Sequence, residues 1–166
     1  MDPRQALLQQ VSAQVEAFIA CICEIDADAL RVTPLWSAKD VLAHLTFWHE
    51  SFARNLHAVA HRQKPSPLKG RLGDLNQQGV EAFRPLPVAA LVERLRAAQA
   101  SIASEILDPV LGLIPYRRGS RPYAPEEHLE IVRDHLRKHL TQVRSALKGT
   151  TRSSASSDTP SPARRP

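Results

Sequence analysis

Two histidines stand four residues apart in "DHLRKHL", at His135 and His139, and a third, His44, sits far earlier in "WSAKDVLAHLTFWHE". On a helix, an i, i+4 pair spans about one turn, so both imidazoles can reach one ion. A third imidazole from a facing helix completes three ligands and leaves a coordination position open. That is the layout of a catalytic metal and not of a closed structural one. The same residues also have a plainer reading. A helical protein with seven histidines will often show such a spacing by chance, and imidazoles at a core edge are satisfied by carbonyls or water. The choice turns on whether the elements carrying the three histidines direct the same faces inward.

Those elements are helical throughout. Leu7, Leu8, Val11, Val15, Phe18, Ile19 and Ile22 recur at spacings of three and four, one apolar stripe on a first helix started by Asp2 and Pro3 and running to about Ile25. A second helix opens with Ser37 as cap, Asp40 three residues on as in a capping box, and Trp36 placed to staple onto Val41, and it should run to about His61. The Pro/Gly/Lys-rich "RQKPSPLKGRLGD" follows, then a short helical piece around 76–83 ended by "RPLP". Pro87 begins a third long helix with Leu91, Leu95, Ala98, Ile102 and Ile106 on one face. After the irregular "DPVLGLIPYRRGSRPYAP", Pro125, Glu126 and Glu127 open a last helix that Gly149 is placed to end. Four long amphipathic helices with no strand pattern and no internal repeat predict an all-α four-helix bundle, with the additional short helix in the long crossover connection.

The histidines can now be placed on faces. In the second helix the stripe reads Val41, Leu45, Trp48 and Phe52, and His44 lies within or beside it. In the last helix His135 and His139 run along one edge of Leu129, Val132, Leu136, Leu140, Val143 and Leu147. Both edges look inward. Trp48 and His128 are the candidate ligand-binding residues. Trp48 serves as core or as substrate platform, and His128 lies about 10 Å from His135 by helix rise, too far to share an ion but placed to line a cavity mouth. His49 and Glu50 point away from His44, into a solvated or packing role. His57 and His61 sit where the helix dipole favours a positive group, and no site is needed to account for them. Tyr116 and Tyr123 flank the "RRGSRP" loop, a connector or a cover for a cavity opening.

Composition bounds the function. At 166 residues, 43% hydrophobic and 23% charged, the chain supports one core. Cys21 and Cys23 are too close for an ordinary disulfide framework and point to opposite sides of a helix, as small apolar residues or a redox-sensitive thiol. The N-terminal residues carry an acid and no signal-like apolar run, and no stretch approaches the roughly 18 apolar residues of a membrane span. The expectation is a soluble, cytoplasmic protein without a membrane partner. The net charge of +5 and pI near 9.7 invite a nucleic-acid reading. Yet "KGTTRSSASSDTPSPARRP" holds four Lys or Arg against one Asp, which leaves only +2 for the body. Aromatics are 5% and do not interleave with basic residues, so nucleic acid is not the expected partner. The Ser/Pro/Arg-rich tail cannot bury enough apolar surface to order itself. This sets the boundaries as 1–148 for the bundle and 149–166 for a disordered tail.

The motifs resemble a known family. Trp36, Ser37, Lys39, Asp40, Val41, His44 and Leu45 match the "W-[ST]-x-[KR]-[DE]-x-[LIV]-x-H-[LI]" start of helix two in DinB-like four-helix bundles, and His135 and His139 match the "HxxxH" of their last helix. "DVLAHLTFWHE", "LNQQGVEAFRPLPVAALVERL" and "HLEIVRDHLRKHL" are similar to the ClbS/DfsB branch, over roughly residues 5–147. The resemblance implies a cavity whose floor holds a divalent metal ion on three histidines, here His44, His135 and His139. The family includes thiol S-transferases, metal-dependent hydrolases and proteins that protect cells from a reactive small molecule, among them the cyclopropane-opening colibactin resistance protein.

Such a site lowers the pKa of bound water, binds a thiolate, or polarises an electrophile, with Zn, Ni, Mn or Fe(II) as the ion. Two readings follow: a metal-dependent hydrolase or thiol transferase that opens or hydrolyses a small electrophilic substrate, or a metal-free small-molecule-binding or stress-associated protein of the same fold. Monomer and homodimer both remain open at this level. The tail gives a direct test. Deleting residues 150–166 should leave the thermal midpoint nearly unchanged, because the segment carries no core stripe. A large fall on thermal melting would show that it packs.

Overall fold

The computed structural model describes residues 2–155, and among these it contains five helices and no strand: α1 (Pro3–Cys23), α2 (Ala38–Ala60), α3 (Leu72–Phe83), α4 (Val88–Glu105) and α5 (Pro125–Ala155). The starts follow local chemistry. Asp2 accepts from the Arg4 amide ahead of a proline in the first turn of α1. Ser37 and Asp40 form the reciprocal capping box of α2, at 3.2 and 3.1 Å. Both cap residues are buried, so loss of Ser37 Oγ would cost about 1 kcal/mol or more.

Contacts between helices fix their directions. Arg84 meets Asp40, Arg94 meets Glu50 and Glu105 meets His61, each pair separated by 44 residues, so α2 and α4 run parallel and in constant register. Arg4 with Glu126 and Gln10 with Arg133 set α1 and α5 parallel in the same way. The two pairs oppose each other: Arg4 reaches the Ile106 carbonyl while Glu16 meets Arg96, and His44 faces His135 while Phe52 stacks on His128. Neighbouring parallel helices cannot be joined by a tight turn. The chain from 61 to 87 must therefore travel back along the bundle, and α3 lies within that crossover. The core between the four long helices holds Phe18, Ile22, Leu42, Leu45, Leu91, Leu95, Ile102, Leu129 and Leu136, all essentially inaccessible.

α2 is the central element, with buried residues nearly all round, since α3, α4 and α5 each cover part of it. α3 approaches closely because Gly79 is there: a Cβ at that position would lie 2.5 Å from Phe47 Cγ. Cys21 is partly buried against the core, Cys23 is exposed and both are free thiols. α1 is long and apolar enough, by length and composition, to cross a membrane, contrary to the expectation that no stretch approaches one. In the bundle its apolar stripe, Leu8 to Ile22, forms one wall of the core.

Two boundaries differ from the sequence reading. α3 begins at Leu72, ahead of the expected 76, with Gly73 inside its first turn. α5 does not stop at Gly149 but continues to Ala155. Gly149 adopts no left-handed conformation, the feature that makes glycine a helix stop, so it only lowers helix propensity by about 1 kcal/mol. The extension through Ser154 is exposed. The expected disorder of 156–166 lies outside the described residues.

The Gly79 contact yields a prediction. Gly79→Ala should destabilise the protein by about 1–3 kcal/mol through overpacking against Phe47, despite alanine's better helix propensity. Chemical denaturation would measure it, and an unchanged or raised midpoint would refute the close approach.

Candidate metal centre

His44 on α2 meets His135 and His139 on α5. His44 Nε2 lies 2.8 Å from His135 Nε2, and His139 Nε2 lies 3.1 Å from the same atom. The ligand nitrogens of all three fall within 4.8 Å of one another. His44 and His139 are buried and His135 is partly buried. The three residues that the spacing singled out therefore converge, each brought there by an inward-facing helix edge.

Gln142 Oε1 sits 2.8 Å from His139 Nδ1 and accepts the ring proton when that tautomer is present, which turns His139 Nε2 as a lone pair toward its neighbours. His135 Nε2 stands between His44 Nε2 and His139 Nε2, and the ring tautomers set which nitrogen donates in each contact. His44 Nδ1 is buried without a hydrogen-bond partner among the described residues. The three Nε2 atoms thus meet where a cation would receive three lone pairs. The donor set fits a divalent transition metal, with three imidazoles and an open side toward the cavity. Burial, reinforced by the neighbouring imidazoles, pushes His44 down to about 2 and His135 to about 3. Burial also lowers His139, opposed by Gln142. All three are neutral near pH 7, as metal ligation requires. Gln142 would act as the outer partner that orients a ligating ring.

Above the cluster lies a cavity of about 310 Å³. Trp36, Trp48, Phe52, Asn76, Tyr116, His49 and His128 contribute to its walls. Trp48 Nε1 donates to Asn76 Oδ1 at 2.7 Å, and its ring stacks on Tyr116 with centroids 5.1 Å apart. Tyr116 comes from the segment between α4 and α5, which is clasped to the crossover by the Arg118 amide on the Leu68 carbonyl and by Arg117 on the Gly70 carbonyl. Leu72 and Ile131 expose apolar surface at the rim.

His128 is 2% exposed, lies flat on Phe52 with centroids 3.8 Å apart, and has no hydrogen-bond partner for either ring nitrogen. Burial pushes its pKa down to about 4. It belongs to the buried wall, deeper than the mouth position expected of it. His49 is also buried: Gln99 Oε1 lies 2.7 Å from its Nε2, and Gln99 in turn donates to Ser12, so its role is internal and not solvated.

The profile of the mycothiol maleylpyruvate isomerase N-terminal domain matches residues 3–109. The chain belongs to that family, a branch of the DinB-like superfamily. Two solved structures share its fold: the mycothiol-dependent maleylpyruvate isomerase, with a TM-score of 0.67, and a histidine-to-alanine mutant of it, with 0.65. Each is 10% identical, and each match covers 84% of this chain and 60% of the other. The chain thus spans about 60% of the length of the solved chains it matches. At this identity the likeness is one of fold. No curated protein matches. The ClbS/DfsB branch is a narrower placement than these matches carry.

Within the isomerase N-terminal domain family match lies His44, whereas His135 and His139 fall beyond residue 109 and are joined to it by the bundle itself. The sequence pattern does not single out Gln142, Asn76 or the cavity role of Trp36, which it assigns to a staple alone, whereas Tyr116, read as flanking a connector or a cavity cover, does line the cavity. Trp36 also packs against the His44 ring, with centroids 4.9 Å apart. The one available signal was that 142 follows 139 at helical spacing.

The buried imidazoles make metal-free protein acid-sensitive. His44, His135 and His128 stay neutral in the fold down to about 2, 3 and 4, while in the unfolded chain they protonate near the ordinary value of about 6.5. The unfolded state therefore binds more protons below that value, and stability falls as pH falls, by up to about 1.4 kcal/mol per pH unit for each group. Thermal melting of metal-stripped protein should show a steep loss between pH 6.5 and 5. A flat profile would refute the neutral, buried assignment.

Proposed function

We propose that this chain is a metal-dependent enzyme acting on a small electrophilic molecule within the cavity, with His44, His135 and His139 as metal ligands and a thiol as co-substrate. The observation that carries this is the convergence of three neutral imidazoles, Nε2 beside Nε2, at the floor of an aromatic-walled cavity. A divalent ion there would lower the pKa of a thiol or water and polarise an electrophile. No Asp or Glu among the described residues lines the cavity, and Lys138 does, so the pocket favours anionic ligands such as a thiolate or a carboxylate-bearing substrate. The thiol follows the mycothiol dependence in the names of the solved relatives. Ring opening or hydrolysis by water is the narrower alternative that the ClbS/DfsB-like motifs point to.

The chain's own residues supply the remaining chemistry. Trp48 and Tyr116 form a flat wall that excludes water from a planar substrate. Asn76, held by the Trp48 indole, keeps its amide group in place at the wall. Neutral His128 has one donor and one acceptor nitrogen with no protein partner, which suits it to pass a proton to or from the substrate. A metal-free binding protein is the second reading, favoured by the fact that the imidazole trio already hydrogen-bonds within itself.

Titration of stripped, tag-free protein with up to one equivalent of Zn, Ni, Mn or Fe(II) decides between them. Wild type should gain thermal stability, about 2.7 kcal/mol when free metal exceeds the Kd a hundredfold. With the exposed His57–His61 pair broken by His61→Ala in both proteins, His44→Ala should still lose most of that gain. Equal responses of those two proteins would sink the shared site. His128→Phe keeps the stack on Phe52 and should leave metal affinity intact. In a screen of activated alkenes, epoxides, cyclopropanes and lactones with thiols, it should lower turnover about a hundredfold.

A further inference from the structure

We propose a second divalent-cation site, on the surface, formed by His57 and His61 of α2 with Glu105 of α4. His57 Nδ1 and His61 Nε2 approach one carboxylate oxygen, Glu105 Oε1, at 2.7 and 2.9 Å. The three ligand atoms lie within 4.8 Å of one another. The histidine spacing repeats the one-turn geometry of the internal pair, and the facing helix supplies the third ligand. From His44 to His57 the helix rises about 20 Å, so the two clusters cannot share an ion.

Three independent features favour a cation here. Because α2 and α4 are parallel, both present their C-terminal ends at this point, and each end carries partial negative charge. The Glu105 side chain is only 16% exposed, while each histidine side chain is 51% exposed, so the carboxylate is held in place and the imidazole side is open to solvent. Glu105 Oε2 is closed off from water and has no hydrogen-bond partner, which leaves half of the carboxylate's charge unmet. Without metal, each ring donates one N–H to Oε1. On metal binding those protons shift to the other ring nitrogens, and the lone pairs turn to the ion.

Two imidazoles and one carboxylate suit Zn, Ni, Co or Cu(II), and not Mg or Ca, which favour all-oxygen shells. Water completes the coordination on the open side. Such an ion would clasp the ends of α2 and α4 where the crossover leaves the bundle.

Calorimetric titration of stripped full-length chain with Zn or Ni past one equivalent tests the site. Wild type should take up two equivalents, and His44→Ala should retain the surface one. His61→Ala and Glu105→Gln should each weaken the second class at least about tenfold, a loss that even an outer-shell partner's removal can bring. Mg should not compete. His61 is half exposed, so its loss should spare the fold, and Glu105→Gln keeps the shape while removing the charge. Superimposable isotherms for wild type, His61→Ala and Glu105→Gln would overturn the site and leave the cluster as a hydrogen-bonded surface ion pair.

Discussion

The Nε2 atoms of His44, His135 and His139 can meet at hydrogen-bonding distance only while α2 and α5 stay antiparallel with residue 44 opposite both 135 and 139. A slip of one residue on either helix would rotate an imidazole by roughly 100° and take it out of the cluster. Burying these rings is also costly, because each is held neutral against its ordinary tendency to protonate. The surrounding bundle has to supply both the register and the stability that offsets this cost.

Register comes from polar pairs and stability from the apolar core, and the two are arranged on different faces. Asp40–Arg84, Glu50–Arg94 and His61–Glu105 repeat at one offset, from the turn that precedes α4 to the shared ends of α2 and α4, while Val41, Leu45, Phe52 and Leu56 pack inward. Pairs of this kind, with at least one partner open to solvent, contribute little energy each. Their value here is that a one-residue slip would break all of them together. The parallel pairing has a further consequence: it demands the long crossover, and the crossover brings α3, with Asn76, over the cavity. The site's polar wall is thus a result of helix direction as much as of local sequence.

Much of this was legible in the sequence. The apolar stripes gave the four long helices, the Ser37–Asp40 pair gave the start of α2, and face analysis put His44, His135 and His139 on inward edges, because these are features of single helices read one at a time. What escaped depends on relations between helices. Glu105 reads as an ordinary surface acid until the parallel pairing puts it beside His57 and His61. Tyr116 reads equally as flanking a connector or a cavity cover until its segment is clasped to Leu68 and Gly70, which makes it cavity wall. His49 reads as having either a solvated or a packing role, and the packing role is the one found, because α4 buries a second face of α2. Gly149 misled in the opposite sense, since a stop signal acts only where the backbone takes the left-handed turn.

The two histidine clusters differ most in charge. At the His57–His61–Glu105 cluster a carboxylate already offsets part of a cation's charge, so an ion bound there needs only water to complete it. At the inner cluster all three imidazoles are neutral, no acid among the described residues lines the cavity, and Lys138 adds positive potential. A divalent ion held there would carry its charge nearly uncompensated into a space walled by Trp48, Phe52 and Tyr116, where the effective dielectric is low. Such a site is completed electrostatically only by an incoming anion. On the proposed reading, the same absence of acids that lets three imidazoles lie buried and neutral would direct a metal-loaded inner cavity toward a thiolate, a hydroxide or a carboxylate, whereas the outer cluster would only hold an ion.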